Sequence, residues 1–159
     1  MSARSERLAT RFDQACHEFN ALVDGLSEAE WRKVTTAERW SVGVVVHHVA
    51  EGHMRVVGLI QSIAMGEPVA PITRDTIDED NARLARVAAG ASKATALPLL
   101  QANGVKAREI IRGLSDAELD RSAIVLAGVP PMTAAQAVEG MINHIHEHLG
   151  SIRTAITRW

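Results

Sequence analysis

The sequence predicts an all-α four-helix bundle, and three observations support it. Four long segments, near residues 3–24, 41–65, 95–113 and 133–157, repeat apolar residues at intervals of three and four. That spacing gathers side chains on one face of a helix. Residues with helix-terminal chemistry flank these segments. The 159 residues are most simply one domain, 1–159, long enough to close a core around such faces.

In the first segment Leu8, Phe12, Ala15, Phe19, Leu22 and Leu26 follow the period, and Gly25 is placed to end the helix. Ser27-Glu28-Ala29-Glu30 then has the capping-box pattern, with Ser at the cap and Glu three residues on. It opens a short turn carrying Trp31, read as a core plug or a hairpin lock without chemistry. Ser41 caps the second helix, whose face is Val42, Val45, Val49, Gly52, Val56, Leu59 and Ile63, ahead of Gly66 and Pro68.

Residues 67–77 read as a loop, followed by a shorter helix near 78–89 with Leu84 and Val87 inward. The third long helix is expected to open near Thr95, because Pro98 is tolerated only within a first turn. Ser115-Asp116-Ala117-Glu118 echoes the pattern at Ser27, as the same local physics used twice. Ile124–Leu126 can pair briefly as an extended segment. Thr133-Ala134-Ala135-Gln136 is another capping box and opens the last helix.

Composition excludes several classes. A formal charge of −2, two Phe, three Trp and no Tyr provide neither a basic footprint nor stacking platforms for nucleic acid. The longest uncharged run, Ser122 to Val138, is short for a membrane span and is interrupted by Gly128, Pro130 and Pro131. The single Cys16 forbids an intrachain disulfide and fits a reducing compartment; within an amphipathic helix it reads as a buried structural thiol. The expectation is a cytoplasmic protein with no nucleic-acid or membrane partner.

Chemistry concentrates in Asn143-His144-Ile145-His146-Glu147-His148. His144 and His148 lie one helical turn apart at the margin of a buried face, a spacing at which two imidazoles can share a metal ion. His146 points to roughly the opposite side. The second helix carries His47, His48 and His53. His48 lies at the margin of its apolar face, His47 is expected in solvent, and His53 either lines a pocket or caps the helix surface. His48 with His144 and His148 makes three neutral ligands and leaves a coordination position open, as in catalytic rather than structural zinc sites.

Trp40-Ser41-Val42-Gly43-Val44-Val45-Val46-His47-His48 resembles the second-helix motif of the DinB-like (YfiT-like) metalloproteins. There a Trp-Ser/Thr start leads, seven or eight residues on, to a metal-binding His. His144-x-x-x-His148-Leu-Gly-Ser-Ile resembles the family's second motif. Val44 departs from the pattern, since relatives often carry Glu there as partner of the cap.

The resemblance implies that His48, His144 and His148 ligate one divalent ion; zinc or nickel is expected, since imidazole suits both. It also implies a homodimer. Mycothiol-dependent members append a further domain, which is not expected in a chain ending at Trp159. Three functions follow from it: a thiol S-transferase or isomerase joining a low-molecular-weight thiol to a small-molecule substrate, a metal-dependent hydrolase, or a non-catalytic metal-binding stress protein or dimeric scaffold. Glu51 and Glu147, near the histidines in sequence, are candidates either for a general base or for a partner behind a ligand, and no catalytic residue is assigned. The loop Gly66–Ile77 is a candidate wall of the thiol pocket, with Arg74 or Arg83 to hold carboxylates.

Overall fold

A computed structural model describes residues 2–157. Ser2 caps α1 (Ala3–Gly25) and Ser27 caps the single turn α2 (Glu28–Trp31), each with a complete capping box. Ser41 caps α3 (Val42–Met65) by accepting from the Val44 amide. No reciprocal arm forms there, since Val44 has no acceptor to return. Gly66 closes α3 with φ 73°, a left-handed conformation that glycine adopts without a Cβ clash.

A crossover then carries α4 (Arg74–Val87) and a 3₁₀ turn, Ala88–Gly90, to α5 (Lys93–Gly113). After α6 (Asp116–Asp120), β1 (Ser122–Ala123) pairs antiparallel with β2 (Met132–Thr133), Ser122 opposite Thr133. The expected box at Thr133 starts α7 (Ala134–Thr157) with both arms present, at 2.8 and 3.1 Å.

Helix directions follow from contacts at the ends. Ser5 Oγ donates to the Arg112 carbonyl, and Lys93 Nζ to the carbonyls of Asp24 and Leu26, so α1 and α5 are antiparallel. Trp31 ties the start of α3 to the start of α5 by donating to the Ala91 carbonyl, and Asn103 donates to the Ala50 carbonyl midway. These two middle helices are therefore parallel, which requires the long crossover between them. α7 returns antiparallel to α3. Each of α1 and α3 packs against both α5 and α7. Phe12, Phe19, Ile60, Leu100, Ile111, Ile145 and Ile152 fill the shared core. No helix among the described residues is long and apolar enough to cross a membrane.

Gly43 lets the Trp31 ring lie directly on α3. A Cβ at this position would stand 2.5 Å from the indole nitrogen, inside any tolerable contact. Trp31 is thus a core plug held in place by a hydrogen bond.

Three local expectations need correction. The crossover helix starts at Arg74, after Thr73 as its cap, whose hydroxyl accepts from the Thr76 amide, rather than near residue 78. Val87 is 77% exposed, because the inward row runs from Leu84 to Ala88, one turn on, against Val44 and Trp40. The helix carrying Pro98 opens at Lys93, which puts the proline in the second turn. Pro98 and Ala94, whose carbonyl the ring leaves without its amide, are both exposed, so water can take that bond. The extended segment Ile124–Leu126 does pair, through a parallel bridge from Ile72 to Leu126.

Candidate metal centre

Three ring nitrogens meet between α3 and α7. His144 Nε2 lies 3.0 Å from His48 Nε2 and 3.0 Å from His148 Nε2. One potential ligand atom from each residue lies within 4.8 Å of the other two. The i,i+4 spacing on α7 places two imidazoles on one side, and the antiparallel approach of α3 supplies the third. The Trp40 ring stands edge-on to His48, with centroids 5.4 Å apart, and braces the ring from the loop side.

The loop before α3 adds a residue that pattern reading passed over. Thr35 N–H donates to the Trp40 carbonyl at 2.8 Å and Val42 N–H to the Lys33 carbonyl at 2.9 Å, pinching the chain into a short hairpin. Arg39 at its tip adopts φ 59°, a left-handed conformation that is unfavourable for a residue with a Cβ. This turn carries Glu38 to the histidines. Its Oε1 lies 2.8 Å from His148 Nδ1, and its Oε2 accepts from Ser151 Oγ at 2.6 Å. Burial alone would push the Glu38 carboxyl up. Hydrogen bonds from Ser151, Thr35, its own backbone and His148 outweigh that and hold it below its ordinary value.

An ionised carboxylate only accepts, so His148 Nδ1 carries a proton towards Glu38, which leaves Nε2 as the ring's ligating nitrogen. Burial, aided by His148, pushes His48 down to about 4 and His144 down to about 3, so both rings are neutral at physiological pH. An imidazole nitrogen has a single in-plane site, so His144 Nε2 can direct a hydrogen bond along at most one of its two 3.0 Å contacts. A cation between the rings would take a lone pair from each instead. Two ligands at about 2.0–2.1 Å in tetrahedral geometry stand about 3.3 Å apart, close to the separations seen. The donor set fits a divalent ion. His48 Nδ1 is buried with no hydrogen-bond partner, so the protein does not anchor that ring from behind as Glu38 anchors His148.

The other expected residues separate clearly. His146, Glu51 and Glu147 are exposed, and the carboxylate that touches the cluster is Glu38. His47, expected in solvent, is half-buried with Nδ1 sealed and unpartnered. His53 is 2% exposed in the core, edge-on to Phe12, with Nε2 3.8 Å from Cys16 Sγ. Burial pushes His53 down to about 4 and the Cys16 thiol up to about 12, so both are neutral packing groups.

These depressed histidines predict acid sensitivity of the metal-free protein. The unfolded chain binds a proton at each near pH 6.5, whereas folded His48, His53 and His144 wait until about 4, 4 and 3. Stability is therefore complete above pH 6.5 and is lost as pH falls towards 4. For three groups the slope reaches at most about 4 kcal/mol per pH unit. Denaturant melts at stepped pH values measure it. His53→Leu should make the slope shallower by about a third, and stability that is flat from pH 6.5 to 4.5 would contradict the picture.

None of the curated proteins matches the chain significantly. Among solved structures, the chain is similar to YfiT from Bacillus subtilis, described as a probable metal-dependent hydrolase with an unusual four-helix bundle topology. The TM-score is 0.78 over 98% of this chain and 87% of that one, at 18% identity. It is also similar to the mycothiol-dependent maleylpyruvate isomerase, with a TM-score of 0.74 at 13% identity over 96% of this chain; that match spans 63% of the isomerase. At such identities the likeness establishes the fold. The family model described as DinB superfamily matches residues 11–152, almost the whole length, and the chain belongs to the DinB superfamily.

Proposed function

We propose that His48, His144 and His148 hold one divalent ion, zinc or nickel, and that the protein uses it to transfer a low-molecular-weight thiol to an electrophilic small molecule. The observation that carries this reading is the convergence of three imidazole nitrogens at 3.0 Å contacts. When bound, such an ion holds a thiol in its deprotonated, nucleophilic form. Glu38 contributes one negative charge through the His148 ring, which leaves one positive charge for an anionic fourth ligand such as a thiolate. The chain's own thiol does not compete, since Cys16 is buried and pushed up to about 12. Glu38 fixes the tautomer and orientation of His148, and Trp40 limits the tilt of His48. The description of one structural neighbour as mycothiol-dependent supports the thiol.

Hydrolysis is the second reading, supported by the description of YfiT as a probable metal-dependent hydrolase. Titrating the cobalt-substituted protein with glutathione, mycothiol and bacillithiol separates the two. The thiol reading expects a sulfur-to-metal charge-transfer band with at least one of them. If none produces the band and the loaded protein cleaves activated esters, the hydrolase reading takes its place.

A further inference from the structure

Two turns along α3 from His48, Arg55 returns to the same side of the helix, about 10 Å further along its axis. Its charge helps keep the His48 imidazole neutral. Arg55 stands at the rim of a cavity of about 300 Å³ between α3 and the crossover, at the small end of the ligand-pocket range of about 300–1,000 Å³. Val56 and Leu59 of α3, Val69 and Ile77 of the crossover and Val125 near the hairpin form apolar walls.

The one carboxylate on the rim, Asp80, is engaged by Arg83 Nη2 at 2.9 Å. No ion pair among the described residues engages Arg55. Between Arg55 and the histidines lies Gly52, where a Cβ would stand 3.9 Å from His144 Cε1. Gly52 itself places no side chain between Arg55 and the rings.

The geometry points to this cavity as the binding site of a small carboxylic acid with an apolar body. The body fills the cavity and the carboxylate sits on Arg55, on the side of α3 that carries His48. Arg74 and Arg83, considered from sequence for holding carboxylates, do not line it. The apolar walls suit an apolar partner rather than a polar low-molecular-weight thiol, so the acid would be the electrophilic substrate, its body carrying a conjugated carbon–carbon double bond across which the thiol adds, sulfur to one carbon and the proton to the other. That identification rests on the thiol-transfer reading, whereas the binding site itself does not.

The test is a titration of the metal-free protein with 3-phenylpropionate and its neutral amide, 3-phenylpropanamide, followed by methyl NMR. The acid should shift the methyl signals of Val56, Leu59, Ile77 and Val125 and bind about tenfold more tightly than the amide, as expected for an ionic hydrogen bond. Arg55→Gln, at an exposed position, should keep the spectrum of the folded protein and bring the two affinities together. Shifts confined to other regions, equal affinities in the unaltered protein, or a preference that survives Arg55→Gln would each overturn the assignment. The titration uses no metal, so its failure leaves metal loading and the charge-transfer band unaffected. Their failure, in turn, leaves this site standing.

Discussion

Replacing His148 with alanine should lower affinity for zinc by about 100-fold or more, because losing a ligand should exceed the roughly 10–100-fold effect of losing its supporting partner. His148 is tied into the candidate site in two ways. Its Nε2 meets the Nε2 of His144 at 3.0 Å, and it is the ring that Glu38 orients. Its loss leaves two imidazoles from different helices and frees the Glu38 carboxylate. His146→Ala is the control, since that exposed ring lies two residues away on the other side of α7. Competition against a chelator of known affinity, with metal content read by elemental analysis, measures both variants. Equal loss in the two, or full metal content in the His148 variant, would remove His148 from the ligand set.

Glu38→Ala is expected to have the next largest effect, weakening zinc binding about 10–100-fold without removing any ligand. The carboxylate keeps the proton on His148 Nδ1 and so keeps the Nε2 lone pair available. It also accepts from Ser151, so truncation strands a buried donor on His148 and a half-buried one on Ser151, at about 1–3 kcal/mol each where water does not replace the bond. The variant should therefore melt earlier even without metal. Glu38→Gln should fall between, since its amide oxygen can still accept from one donor but carries no charge. Chelator competition and thermal melts on both variants decide the matter. Unchanged zinc affinity in Glu38→Ala would reduce the carboxylate to a tether for the loop.

How much of this was legible beforehand follows from the range of each interaction. Helix existence depends on neighbours three and four residues apart, so the four long segments and the boxes at Ser27 and Thr133 could be read directly. The pairing of His144 with His148 is one helical turn of the same local geometry. Val87 and Pro98 mark where local reasoning ended. Which row of the crossover helix faces inward depends on what Val44 and Trp40 offer it, and a proline is accommodated in a second turn when the freed carbonyl faces water.

The meeting of His48 with the α7 pair could be proposed from the helix margins and the family resemblance. Its distances were decided by the tertiary structure, because they depend on the register between helices nearly a hundred residues apart. Glu38 lay wholly beyond sequence reading. A glutamate between Ala37 and Arg39 has no period, cap or motif to mark it, and only a hairpin with a left-handed Arg39 at its tip turns it onto His148. Local forces thus determined the helices and one face of the site. The cavity beside Arg55 and the carboxylate behind His148 exist only because packing brought distant segments together, and such contacts are not encoded in the spacing of any one segment.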